Sequence, residues 1–185
     1  MNKKIAMGVA ALALAMGSSA QAQTVCVFDL LGTAGESYAM MKDYALAAKQ
    51  WGANVTLKPY TDERVAAEDF KAGQCDGVSL TGMRGRQFNA FTGSIDAIGA
   101  VPSNAMAKVV MSLLAKPQLA ADMVNGDYEV AGVVPLGSAF LLVNDRSINT
   151  LAKAAGKKIA VLDYDKAQAK LVQKVGAQPV SADVT

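Results

Sequence analysis

From Thr24 onward, short apolar runs alternate with segments whose apolar residues recur every three or four positions. Residues 25–30 form the first run and read as a strand, followed by a glycine-bearing loop at 32–35. Over residues 36–51, Tyr38, Met41, Ala45, Ala48 and Trp51 keep helical spacing, and Gly52 supplies the stop. Residues 54–60 alternate as a strand does, with Val55 and Leu57 on one face. A second helix follows over 62–71, capped by Thr61 or Asp62 and ended by Gly73, and residues 75–80 make a third strand. Strand, helix, strand, helix, strand predicts an α/β lobe: a parallel βαβαβ sheet with right-handed crossovers.

Beyond that lobe, residues 95–101 are apolar and read as a short strand. Ser103 is the expected N-cap of a helix over 104–115, and Pro117 opens another that closes near Asn125 and Gly126. Residues 128–134 and 139–143 look strand-like, interrupted by Pro135, Leu136 and Gly137. Residues 157–162 predict a buried strand, 165–175 a helix ending at Gly176, and 178–181 a further strand. This starts a second α/β lobe with little chain left to complete it, so the expectation is a truncated protein. The expected organisation is residues 1–22 as a leader, 23–136 as the first lobe and 137–185 as the beginning of the second, with Pro135, Leu136 and Gly137 as the crossover.

The leader changes how charge is read. Lys3 and Lys4 precede an apolar run over 5–16, and Ala20, Gln21 and Ala22 form an A-x-A cleavage pattern. A cleaved Sec signal predicts export to the periplasm. The whole chain carries a formal charge of +2. Without Lys3 and Lys4, basic and acidic side chains are equal in number. That balance argues against nucleic acid and against polybasic membrane attachment. Cys26 and Cys75 both fall in the exported part and are disulfide candidates; two buried free thiols are the alternative.

The chemistry inventory is short. Histidine is absent, which removes Ser-His-Asp, Cys-His and histidine-metal sites. Residues 77–82 miss the G-x-S-x-G elbow by one position, and residues 32–37 lack the lysine and spacing of a phosphate loop. No cofactor or metal is expected, and no motif proposes an enzyme. What remains is ligand binding. Open α/β sheets bind beyond the carboxyl ends of their strands, which points to residues 29–37 and 79–86. The stretch "CDGVSLTGMRGRQFNAF", residues 75–91, sets Arg84 and Arg86 among glycines just after a strand. An arginine fork suits an anion and glycine permits close approach. Alternatively, both arginines solvate a turn or pair with Asp76 or Glu36. If the first and third strands are neighbours, Cys26 and Cys75 also come together. Tyr38, Phe88, Phe91 and Tyr164 read as core or core-edge residues, and Met40, Met41, Met106 and Met111 as core filler.

The segment "NDRSINTLAKAAGKKIAVLDYDKAQAKLVQKVGAQPVSA", residues 144–182, resembles type II periplasmic solute-binding proteins. It looks most like the substrate-binding subunits of TRAP transporters. Ile148, Leu151, Gly156, Lys158 and Ile159 match the opening of that family's second domain, and residues 175–180 match its "L-G-A-x-P-V" end. Residues 75–91 are similar to a divergent, AdeT-type subgroup, some of whose members are labelled components of RND-type efflux linked to aminoglycoside resistance. Where the TRAP subunits place a carboxylate-gripping arginine, this chain has Ala160, which moves that role toward Arg84 or Arg86. The resemblance implies a monomeric periplasmic protein that delivers a small polar or anionic solute to a membrane permease. Its ligand-binding residues would be Arg84, Arg86, Thr81 and Ser37, with Asp163 and Tyr164 from the second lobe. For a polycation, Asp29, Glu36 and Asp163 would serve instead. The competing readings are an efflux accessory protein, a lyase or dehydratase using Glu36 or Asp163 as general acid, and a remnant without function.

Overall fold

A computed structural model describes residues 22–183 except 98, 138 and 139. The expected leader, apart from Ala22, lies outside the described residues. The first sheet has three parallel strands: β1 (Gln23–Phe28), β2 (Val55–Tyr60) and β3 (Gly77–Ser79), in the order β2-β1-β3. Helix α1 (Glu36–Ala48) joins β1 to β2, and α2 (Glu63–Lys71) joins β2 to β3. The two crossovers run in opposite directions across the sheet, so right-handedness puts their helices on opposite faces. Central β1 is therefore covered on both sides. Its consecutive residues Cys26 and Val27, which point to opposite faces, are both fully buried. Ala45 and Ala48 of α1 and Ala66 and Ala67 of α2 complete this core with side chains small enough for close helix–sheet approach.

Local chemistry explains the boundaries. Asp62 caps α2 by accepting from the amides of Arg64 and Val65. Gly52, at φ +82°, takes the left-handed conformation that stops the chain after α1 and a short 3-10 turn (Lys49–Trp51). Trp51 is exposed rather than part of the helix's inner face, because the 3-10 turn rotates it away from the sheet. Cys26 and Cys75 are joined by a disulfide, with Cα atoms 5.8 Å apart; Cys75 lies just ahead of β3, which pairs with β1.

After β3 come two helical turns, α3 (Gly82–Gly85) and α4 (Thr92–Ile95), then α5 (Asn104–Leu114), capped by the Ser103 hydroxyl. The expected strand over 95–101 is replaced by the end of α4 and by turns, with Ile98 outside the described residues. Side-chain-to-backbone bonds decide this: Asn89 Oδ1 accepts from Phe91 N, and Thr92 Oγ1 donates to the carbonyls of Gly82 and Asn89. No residue of α5 is buried, so Met106 is not core filler. A 3-10 segment (Pro117–Met123) leads to a two-stranded hairpin of β4 (Val124–Asn125) and β5 (Tyr128–Glu129). It is fastened to the lobe by a cluster of Phe70, Phe88 and Tyr128, with ring centroids 4.9 to 5.7 Å apart.

The longer strand expected over 128–134 stops at Glu129. The described part of 139–143, residues 140–143, has no regular structure, and Ala139 lies outside the described residues. A strand needs a neighbour for its amides, and no described strand pairs with residues 130–134 or 140–143. Phe140 is 82% exposed and Leu142 90%.

The chain then forms a second parallel unit: β6 (Lys158–Leu162), α6 (Lys166–Lys174) and β7 (Gln178–Ala182). Val161, Val172 and Ala177 make its small core, with Ile159, Ala169 and Val175 packed around them. Among the described residues, no helix is long and apolar enough to cross a membrane. The observed architecture is thus α/β, with parallel strands in the β2-β1-β3 and β6-β7 sheets.

Candidate functional site

The order β2-β1-β3 makes the ends of β1 and β3 neighbours, so the two loops expected to bind ligand lie side by side. The loop after β1 is filled from within. The Asp29 carboxylate, buried, accepts from the amides of Leu31 at 2.9 Å and Tyr38 at 3.2 Å. Gly35 makes this possible, since a Cβ there would overlap that carboxylate. Of the amides at the start of α1 expected to receive a solute anion, that of Tyr38 is therefore already engaged by Asp29.

The loop after β3 is built around a residue that sequence reasoning passed over. Glu63, the first residue of α2, is completely buried. Its Oε1 accepts from the Thr81 amide at 2.6 Å, and its Oε2 from Arg84 Nε at 3.5 Å and the Tyr164 hydroxyl at 3.3 Å. Thr81 in turn caps α3, its hydroxyl accepting from the Arg84 amide. An acid one place after a helix cap reads as an exposed group favoured by the helix dipole; nothing in "TDERV" marks it as buried.

Arg84 is 7% exposed, and its guanidinium carbon lies 3.6 Å from the centroid of the Tyr164 ring. Its Nη2 has Asp183 Oδ1 at 3.7 Å, an ion pair too long for a hydrogen bond, and is buried without a hydrogen-bond acceptor. Arg86 donates from Nη1 to Asp165 Oδ2 at 3.0 Å, while its Nε lies buried without an acceptor. Gly93 leaves the space for that side chain, since a Cβ there would stand 2.6 Å from Arg86 Nε. Asp165 also caps α6, accepting from the amides of Ala167 and Gln168. Neither arginine merely solvates a turn, and their ion-pair partners are not Asp76 or Glu36. Asp76 accepts instead from the Thr24 amide.

Met83, Arg84, Arg86, Gln87, Tyr164 and Asp165 line a pocket of about 280 Å³. Of the sequence-derived candidates, the structure brings Arg84, Arg86 and Tyr164 together there. Thr81 stands behind them as a structural bonding group, Ser37 is on α1, and Asp163 is exposed, its amide bonded to the Ala182 carbonyl. Burial, followed by the adjacent Glu63 carboxylate, pushes the Tyr164 phenol up to about 12. Tyr164 is thus a neutral donor at ordinary pH. Among the described residues no group of three or more His, Cys, Asp or Glu side chains could hold a metal ion. The pocket's resources are guanidinium donors, one aromatic face, an amide and a carboxylate.

Comparison with known proteins agrees with a binding role. Residues 45–185 match the family described as Solute-binding protein AdeT 1/2. The probable solute-binding protein AdeT1 of Acinetobacter baumannii is 59% identical over 159 residues, which cover 86% of this chain and 52% of that protein. The probable solute-binding protein AdeT2 of the same organism is 37% identical over 93 residues, covering 50% of this chain and 39% of its own length. The chain therefore spans about half, or less, of the length of the curated relatives it matches. No solved structure matches it. On the extent of the family match and the identity to AdeT1, the chain belongs to the AdeT 1/2 family of solute-binding proteins.

Proposed function

We propose that this protein is a periplasmic receptor that binds a small polar or anionic solute and delivers it to a membrane transporter, without catalysing a reaction. The observation that carries the reading is Arg84 Nη2, a buried guanidinium donor with no hydrogen-bond acceptor, on a residue that lines a pocket with Arg86 and Tyr164. Buried donors are nearly always matched, so an unmatched one beside an open pocket is the mark of a place for an acceptor. Family membership supports solute binding. The resemblance of residues 144–182 to type II, TRAP-like binding subunits supports delivery to a permease, a monomeric state and a two-lobed plan divided near residue 136. The cleavage pattern at Ala20, Gln21 and Ala22 supports the periplasm. A polycation finds little to favour it in a pocket with two guanidinium groups.

The test is a thermal-shift screen of the purified protein against organic acids, amino acids and aminoglycosides. A ligand that binds the folded state raises the melting temperature by mass action. The expected result is a shift with a solute bearing an anionic group, lost in Arg84→Ala. Equal shifts in wild type and Arg84→Ala would refute the site. Fractionation of cells expressing the full chain, with the N-terminus of the product sequenced, tests export and cleavage.

A further inference from the structure

Glu63 reaches the candidate site from behind. It is wholly buried and is not among the side chains that line the pocket. Its two oxygens nevertheless hold three of the groups that shape it. Oε1 accepts from the Thr81 amide at 2.6 Å, and the Thr81 hydroxyl accepts from the Arg84 amide, so the turn that carries Arg84 is fixed. Oε2 accepts from Arg84 Nε at 3.5 Å and from the Tyr164 hydroxyl at 3.3 Å. The Tyr164 ring lies against the same guanidinium, with 3.6 Å between its centroid and the guanidinium carbon. Arg84 follows β3 and Tyr164 follows β6, so one carboxylate ties together walls of the pocket from both parallel units.

A guanidinium is a rigid planar fork. Once Nε is bonded to Glu63 and the ring holds the group in place, the direction of Nη2 is settled, and Nη2 is the buried donor without a hydrogen-bond acceptor. A loose arginine would have to be ordered by the solute at a cost in affinity; here folding has already ordered it. We infer that Glu63 is a positioning residue of the solute site: it does not meet the solute and acts through Arg84, holding Nη2 ready for an acceptor. This rests on the reading of the pocket as the solute site. The competing role is that of a counter-charge alone, and the two roles differ in sign. Removing a mere counter-charge leaves Arg84 more attractive to an anion, so binding would hold or tighten. Losing the orientation weakens binding although the charge then favours it. Arg86 shows the same division, with Nη1 on Asp165 and Nε buried without an acceptor, but Asp165 itself lines the pocket. Glu63 is therefore where positioning can be read apart from contact.

The experiment titrates butyrate, succinate and inorganic phosphate by calorimetry at neutral pH against the wild type, Glu63→Gln, Glu63→Asp and Arg84→Ala, and follows the tightest of the three. A cooperative melt of each variant shows that it folds. Glu63→Gln keeps the length but has one oxygen for three donors; Glu63→Asp keeps the charge but loses the reach. The expected result is binding weakened about tenfold or more by each of the two. Binding unchanged or tighter in Glu63→Gln, or undiminished in Glu63→Asp, would overturn the positioning role, while loss of binding in Arg84→Ala keeps the anion site standing. Should neither Glu63 variant fold, Arg84→Lys decides. Its ammonium keeps the charge but, drawn to Glu63, offers no second fixed donor, so binding should fall as far as in Arg84→Ala, and retained binding would overturn the positioning role. No effect of Arg84→Ala, or binding of none of the three probes at millimolar concentration, would overturn the anion site and the positioning role together.

Discussion

The guanidinium of Arg84 lies 3.6 Å from the ring centroid of Tyr164, eighty positions further along the chain, and both groups reach the same oxygen of Glu63. A partly desolvated cation over an aromatic ring contributes about 0.5–2 kcal/mol, and the hydroxyl adds a hydrogen bond to a charged acceptor. Tyr164→Phe keeps the ring and should cost about 1–3 kcal/mol. Tyr164→Ala loses the ring as well and should cost more. Urea unfolding of the two variants separates these contributions.

The same tyrosine makes a statement about alkaline pH. The folded state holds the phenolic proton up to about 12, whereas an unfolded tyrosine releases it near 10. Its contribution is therefore complete below pH 10 and is lost as pH rises from 10 toward 12, because only the unfolded chain gives up the proton in that window. Tyr164→Phe should flatten this part of the stability profile, which unfolding at a series of alkaline pH values would show.

Glu63 is the residue whose loss should be felt most. Glu63→Ala leaves the nearly buried Arg84 without its main counter-charge, and breaking one partner of such a pair costs about 3–5 kcal/mol. Replacing both partners with apolar residues of similar volume should be milder than either single change. A double-mutant cycle read by denaturation gives the comparison.

Arg86 depends on a glycine. Gly93→Ala places a methyl group 2.6 Å from Arg86 Nε, so the guanidinium must shift away from Asp165. The expected cost is about 1–3 kcal/mol of stability, with weakened binding of any solute that Arg86 helps to hold. Gly85→Ala, whose Cβ would meet Thr92 at an ordinary 3.5 Å, is the matched control for stability and binding.

The disulfide closes a loop between residues 49 positions apart. Chain-entropy reasoning assigns a loop of that length about 4 kcal/mol. Reduction with dithiothreitol should lower the urea midpoint of the wild type, and Cys26→Ser plus Cys75→Ser should reproduce that lower value and be insensitive to the reductant.

Acid pH offers a milder test at the surface. Hydrogen bonds from Tyr60 and Lys58 hold the Asp69 carboxyl below its ordinary value. A carboxylate depressed in the folded state contributes stability above its unfolded pKa and loses it as pH falls through the folded one. Asp69→Asn should remove that part of the acid-side slope, its loss of stability present at neutral pH and fading as pH falls, which unfolding at a series of acid pH values would show.

The sheet was legible because its signals are local. Alternation in residues 54–60, the small residues of α1, and glycine stops such as Gly52 and Gly176 each act within a few positions, and the order of helices and strands then leaves few topologies. The strand-end position of Arg84 and Arg86 was readable for the same reason. Their partners were not. Glu63, Asp165 and Asp183 meet them across 21, 79 and 99 positions, a relation that spacing and periodicity do not carry. The failed strand at 95–101 has the opposite cause. Its apolar composition favours a strand, whereas the side-chain-to-backbone bonds of Asn89 and Thr92 just before it favour helical turns.

The Asp29 carboxylate at the end of β1 has a wider consequence. It is tethered to the amides it occupies, so any dissolved anion must compete with a group whose effective concentration there is on the order of millimolar or above. Backbone donors are indifferent to what carries the negative charge, and here those of Leu31 and Tyr38 are withdrawn from the contest. On the proposed reading of the pocket after β3, discrimination passes to side chains there, which substitution can change one at a time. Relatives that share the scaffold could therefore diverge in what they bind without disturbing the turn that starts α1.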